Sequence, residues 1–254
     1  MPTFTSLQID AWIGAGLWPF CRILALFSVA PIFYQANIPT SVKVALGMGV
    51  TILVVPGLPG DVVPISSPIA PAILLQQILI GLAMGFSMRL AFAAVELAGD
   101  LIGLQMGLSF ASFVDPQNNT QSPLVGSLLD ITASLLFLAM NGHLMMIEAI
   151  TTSFHLFPIG GAGFGASALP IDYRQLFNSS ADIFQTGLHL ALPLLATILV
   201  LNIAVGVLAR AAPQLSLFSV GFPLTLITGL LALILMLPRI APYLQTALEK
   251  AAQL

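Results

Sequence analysis

"PAILLQQILIGLAMGFSMRLAFAAVELAGDLIGLQMGLSFASFV", residues 71–114, is apolar or small at nearly every position. A helix over the whole stretch would be about 60 Å long at ~1.5 Å per residue. That is twice the roughly 30 Å of a bilayer's hydrocarbon core. Either the stretch breaks midway or the protein is not laid out as simple bilayer spans. No Gly or Pro stands between Gly85 and Gly99 to break it. A hairpin turn there would bury backbone polar groups, so one long helix is expected. The stretch then runs into Asp115-Pro116 and the polar tract 117–122, which carries no Lys or Arg.

The rest of the chain has the same character. Of 254 residues 58% are hydrophobic and 7% charged, and the mean hydropathy is +1.02. Soluble domains sit near ~45–50% apolar and about 25% charged. Seven Lys plus Arg and ten Asp plus Glu cannot wet a surface of ordinary size, so the surroundings are lipid or other apolar protein. Backbone in hydrocarbon must satisfy its own hydrogen bonds, which leaves helices or a closed barrel. Barrel strands alternate apolar with polar residues, and the long all-round apolar blocks here do not. The fold expected is all-α, a multi-helix integral membrane protein in one unit.

Six apolar blocks are expected, at about 11–33, 42–55, 71–114, 123–157, 184–211 and 215–237, with an amphipathic tail over 238–254. Asn141-Gly142 is a weak point in the fourth block; Pro193 and Pro223 lie in the fifth and sixth. A small-residue loop, "PIGGAGFGASALP" (158–170), separates the fourth from the fifth. The first fourteen residues carry no Lys or Arg, so they lack the basic region of a cleaved signal peptide. Six alternating spans put Arg174, Arg239 and Lys250 on one side and Lys43 and Arg210 on the other. That imbalance is too small to set an orientation. Cys21 stands alone, which excludes an internal disulfide and a cysteine metal cluster. The net charge of −3 offers nothing to nucleic acid.

Arg89, Glu96 and Asp100 fall seven and eleven residues apart, close to two and three turns at ~3.6 residues per turn. They share one face of the long helix. Each would cost roughly 2.5–3.5 kcal/mol at a bilayer centre, so the stripe needs polar company. Three readings stay open: a device that pins helices together, which is the plainest, a substrate path, and a proton relay. A secondary transporter built on this stripe is the alternative function. Gly81 and Gly85, then Gly99, Gly103 and Gly107, recur every fourth residue and make a ridge on which another backbone can approach closely. His143, Glu148 and His155 lack metal-ligand spacing, and His189 is isolated; no metal or cofactor is expected. No phosphate loop or nucleophile elbow is present, so no enzyme is expected. "LSFASFVDP" (108–116) and "LSLFSVGFP" (215–223) look alike, as paired interruptions in transporters do, but their composition makes chance the simpler account.

Longer stretches carry a resemblance. "NIAVGVLARAAPQLSLFSVGFPLTLITGLLAL" (202–233), "NGHLMMIEAITTSFHLFPIG" (141–160), "GLSFASFVDP" (107–116) and "LFSVAPIFYQANIPTSVKVALG" (26–47) resemble, in order, the FliR family of flagellar biosynthesis proteins. These are R subunits of the type III secretion export gate, with SctT relatives in injectisomes. The most specific part is "ARAAPQLSLFSVGFP", with Arg210, Pro213, Gln214, Phe218, Ser219, Gly221 and Pro223 as signature residues. The resemblance implies long helical hairpins joined in one chain and set into a helical complex with FliP and FliQ. It implies FlhA, FlhB and unfolded flagellar substrates as further partners. It also implies a place in the inner membrane at the flagellar basal body, much of the complex rising on the periplasmic side. In the family the loop after the third block is a plug in the closed channel. Here that is about 106–122, with Met106, Phe110, Phe113, Val114, Asp115 and Pro116 as plug residues. Apolar constrictions gate by dewetting, and Phe offers a large face on few rotatable bonds. Ser109, Ala111 and Ser112 let such a loop bend aside.

Overall fold

A computed structural model of the chain describes residues 6–34, 38–58, 63–108, 124–160, 173–211 and 220–252. Among these there is no strand. The helices are α1 (Ser6–Val29), α2 (Thr40–Val54), α3 (Ala70–Gln105), α4 (Leu124–Ala139), α5 (Gly142–Leu156), α6 (Tyr173–Ala211) and α7 (Phe222–Ala252). A 3-10 turn over Val55–Gly57 extends α2. Five helices among the described residues are long and apolar enough to cross a membrane, and a sixth span results if α4 and α5 count as one.

The long helix α3 is continuous over 36 residues, but it stops short of the apolar block that contains it. Gly107 has a φ of 78°. The Leu108 amide donates to the Gly103 carbonyl at 3.1 Å, and the Gly107 amide to the Leu104 carbonyl at 3.1 Å. This pair of bonds around a left-handed residue is a Schellman stop, which glycine makes without steric cost. Hydrophobicity continues to Val114 while the backbone turns off at Gly107. The fourth block breaks at the Asn141-Gly142 pair, between α4 and α5. Asn141 takes the left-handed conformation with φ 57°, one that asparagine tolerates better than other side chains. From Phe222 onward the sixth block and the described part of the tail form a single helix, α7, which runs through Pro238 and Pro242.

The chain divides into two compact units, and the division falls inside α3. The first comprises Met1–Arg89, Asn141–Phe177 and Leu248–Leu254; the second comprises Leu90–Met140 and Asn178–Ala247. In the first, α1 is the element the others grip. α2 lies on it at Gly47, where a Cβ would meet the Phe20 ring at 3.5 Å. α3 lies on it at Gly81 and Gly85. A Cβ on Gly81 would strike the Arg22 carbonyl and come within 2.9 Å of the Ala25 Cβ. One on Gly85 would stand 2.8 Å from the Leu26 carbonyl oxygen. In the second unit α3 is the centre. Gly99 faces Gly126 of α4, with only 2.7 Å between a hypothetical Cβ and the Gly126 Cα. Phe92 and Phe137 meet edge to face at 5.8 Å. Gly187 of α6 packs on the Ala94 carbonyl, and Gly229 of α7 packs on the Met106 side chain.

Candidate functional site

Asp10, Gly14, Trp18 and Arg22 recur every fourth residue along α1, so they follow one slowly drifting face of the helix. The Asp10 carboxylate accepts from the Ile65 amide at 3.2 Å and the Ser66 amide at 3.3 Å, and also from the Ser66 hydroxyl. The Ser66 hydroxyl is the main reason the Asp10 carboxyl lies below its ordinary pKa; desolvation opposes it and the two amides add to it. At Gly14 a Cβ would stand 2.5 Å from the Val63 carbonyl oxygen. The missing side chain lets that carbonyl in, and the Trp18 indole N–H donates to it at 2.9 Å. Trp18 packs with Ala70 and Ile73, and Leu17, Val63, Ile65 and Ile159 close over this cluster.

Arg22 is the last of the line and is 0% exposed. Its Nε donates to Gln77 Oε1 of α3 at 2.7 Å. Nη1 donates to Ser153 Oγ of α5 at 3.1 Å, and Nη2 to the carbonyl of Phe157, just past α5, at 2.8 Å. The guanidinium carbon stands 4.1 Å from the centroid of the Phe154 ring. A buried charge costs several kcal/mol unless it is hydrogen-bonded or paired. All these partners are neutral. Two carbonyl-type dipoles, a hydroxyl and a ring face replace the missing carboxylate, and they come from α3 and from α5 with the residue that caps it. The Ser153 hydroxyl spends its proton on the Ile150 carbonyl at 2.7 Å, which leaves its lone pairs to Arg22. Gln77 Nε2 is buried with no partner among the described residues.

No local sequence pattern marks this group. A lone Arg in an apolar block has no partner at helical spacing, and its three hydrogen-bond partners are 55, 131 and 135 residues away. Arg89 belongs to the first unit and Glu96 and Asp100 to the second. Arg89 is half-buried, with its guanidinium carbon 3.5 Å from the centroid of the Tyr34 ring. Glu96 is exposed. Asp100 is half-buried, and its Oδ1 is enclosed without a hydrogen-bond partner among the described residues.

The glycine ridge splits by partner: Gly81 and Gly85 seat α1, Gly99 and Gly103 face α4 at Gly126 and Val125, and Gly107 ends α3. Met106 is fully buried. The other residues expected in a plug, Phe110, Phe113, Val114, Asp115 and Pro116, lie outside the described residues, as do Pro213, Gln214, Phe218 and Ser219 of the expected signature. Arg210 is exposed in the last turn of α6, where a cation suits the helix dipole. Gly221 is buried ahead of α7, and Pro223 is its second residue, in the first turn, where a missing N–H costs nothing. His143 and His155 lie on α5 twelve residues apart. No group of three metal-ligating side chains occurs among the described residues.

Comparison with known proteins fits this all-helical chain along most of its length. The profile of the bacterial export proteins, family 1, matches residues 13–251. The flagellar biosynthetic protein FliR of Escherichia coli K12 is 46% identical over 239 residues, covering 94% of this chain and 90% of its own. FliR of Pectobacterium carotovorum is 47% identical over 246 residues, covering 96% and 92%. FliR of Bacillus subtilis 168 is 30% identical over 225 residues, covering 87% and 85%. With a profile match over nearly the full length and relatives at this identity, the chain belongs to the FliR family of bacterial export proteins.

Proposed function

We propose that this chain, a component of the flagellar export apparatus by its family, helps form and plug the pore through which unfolded flagellar proteins leave the cell. Family membership over residues 13–251 carries the reading. The uncharged, Phe-bearing stretch 106–114 supports its finer part. A pore for unfolded chains must hold back ions when idle, and an apolar constriction does so by dewetting. The root of the stretch suits a plug: Gly107 turns the chain out of α3, and Met106 is fixed against Gly229. The plug residues are Met106, Phe110, Phe113, Val114, Asp115 and Pro116.

The same reading supplies the surroundings. Leu124, Leu128, Ile131, Leu135 and Leu138 stand exposed along α4 at helical spacing, a line that lipid or a neighbouring subunit must cover. FliP and FliQ are the proposed neighbours in a helical assembly, with FlhA and FlhB as further partners. The chain sits in the inner membrane at the basal body, and the assembly rises on the periplasmic side. At about 54 Å for 36 residues, α3 suits such a placement. The test is Phe110→Ala with Phe113→Ala in the reconstituted complex. Ion leakage through the closed gate is the expected result, and unchanged conductance would remove the plug from the proposal.

A further inference from the structure

We infer that Arg22 is a positioning residue that docks the chain just past α5, residues 157–160, onto α1. The inference deepens the export-channel reading and rests on it. Three observations converge on those four residues. Arg22 Nη2 holds the Phe157 carbonyl at 2.8 Å. Ile159 packs into the cluster around Trp18. Gly160, with φ +75°, lies so close to the Val63 side chain that a Cβ would strike it. The Val63 carbonyl is itself held by Trp18, one turn of α1 from Arg22. The α2–α3 connection and the chain leaving α5 are therefore fastened to one face of α1.

The chemistry explains why the residue is arginine. A guanidinium presents five N–H donors in a fixed planar fork, and its flat face stacks on rings. One such group reaches an amide oxygen on α3, a hydroxyl on α5 and a carbonyl beyond α5 while covering Phe154. A lysine head is a compact point charge and cannot span all of these. Because every partner is neutral, the charge is compensated only while the three elements stay together. Any movement of 157–160 away from α1 leaves a buried cation short of acceptors. The node thus penalises undocking more steeply than an apolar contact of equal size would.

The test replaces Ile159 by Cys in a Cys21→Ala background and follows thiol labelling in membranes from cells making the full chain with its partner subunits. Arg22→Met with Gln77→Leu exchanges the polar node for an apolar one, a replacement that buried polar groups often tolerate in stability. Recovery of the complex within twofold of wild type is expected. Labelling of residue 159 is expected to rise at least tenfold, and secretion of flagellar substrates to fall at least tenfold. Arg22→Lys keeps the charge without the fork and is expected to raise labelling about threefold or more; it also serves if the double variant is not recovered. Unchanged labelling in either recovered variant overturns the inference. Raised labelling with wild-type secretion upholds the docking and counts against a role for 157–160 in export, so the two failures read differently.

Discussion

Both units seat helices on bare glycine, and the first shows directed hydrogen bonds from α1 as well. In the first, α1 meets α2 and α3 at Gly47, Gly81 and Gly85 and adds an indole, a carboxylate and a guanidinium, each with a defined acceptor or donor. In the second, α3 meets α4 through bare glycine, Gly99 on Gly126, and one pair of rings, Phe92 and Phe137. Lipid removes most of the hydrophobic incentive for helices to associate, and what remains is close packing and interhelical hydrogen bonding. One chain uses both. The hydrogen-bonded face is specific in direction and holds loops and helices alike; the glycine face is specific only in distance and holds helices. A fold with both has some contacts that fail by losing one atom and others that fail by gaining one.

The largest effects are therefore expected from added atoms. Gly81→Ala and Gly99→Ala place a methyl against backbone, the Arg22 carbonyl and the Gly126 Cα, which cannot swing aside. Overpacking of this kind costs about 1–3 kcal/mol, occasionally more, and the yield of folded protein from detergent is expected to drop severalfold in both. Gly103→Ala is the control, since its methyl would meet only the Val125 side chain at 3.4 Å. If all three behave alike, distance is not what the ridge specifies.

How much of this was legible depends on the range of the signal. A four-residue glycine spacing is local and can be read from the sequence, as can the break at Asn141-Gly142. Which helix each glycine seats cannot be, since Gly81 and Gly99 look the same in sequence. The end of α3 was masked by hydrophobicity that runs on to Val114 past the glycine that stops the helix. Arg22 was illegible for a stricter reason: every group that makes its burial tolerable lies at least 55 residues away. The Arg89 stripe was read from its spacing, which says what shares a face but not what each side chain touches.

A smaller effect probes the turn after α1. The Phe33 amide donates to the Pro31 carbonyl at 2.9 Å, closing a three-residue turn around Ile32, whose φ is +68°. That hand of γ-turn is rare and strained, and for a β-branched residue a positive φ is an outlier. Phe33 stacks on Phe27 at 4.8 Å and Tyr34 lies under Arg89, so both sides of the turn are pinned. Ile32→Ala and Ile32→Gly lose the same side-chain packing, but only glycine also loses the Cβ strain, worth roughly 1–2 kcal/mol. Ile32→Gly is expected to melt higher than Ile32→Ala, inverting the usual order, and the ordinary order would show the turn to be unstrained. Below it comes Arg89→Ala, which removes a cation–π contact on a ring that is 52% exposed. Contacts this wet are worth about 0.5–1 kcal/mol. A small loss in recovery of the assembled complex is expected, and full recovery with altered export would make Arg89 part of the export path instead.

The smallest effect separates the two kinds of face by pH. Asp10 is bound by Ser66 and Ile65, and its carboxyl sits below the ordinary value, chiefly through the Ser66 hydroxyl. For a carboxyl depressed in the folded state, the stabilisation is complete above the unfolded pKa and disappears as pH falls through the folded one. At neutral pH, Asp10→Asn is therefore expected to melt lower than the wild type. That gap is expected to hold down to the ordinary aspartate range near ~3.9 and to close below it. The Gly99–Gly126 contact has no group that titrates, so the deficit of Gly99→Ala relative to wild type is expected to stay level over the same range. Should the Asp10→Asn gap persist at acid pH, the carboxylate's charge is not what holds residues 65 and 66, and the hydrogen-bonded face would rest on Trp18 and Arg22 alone.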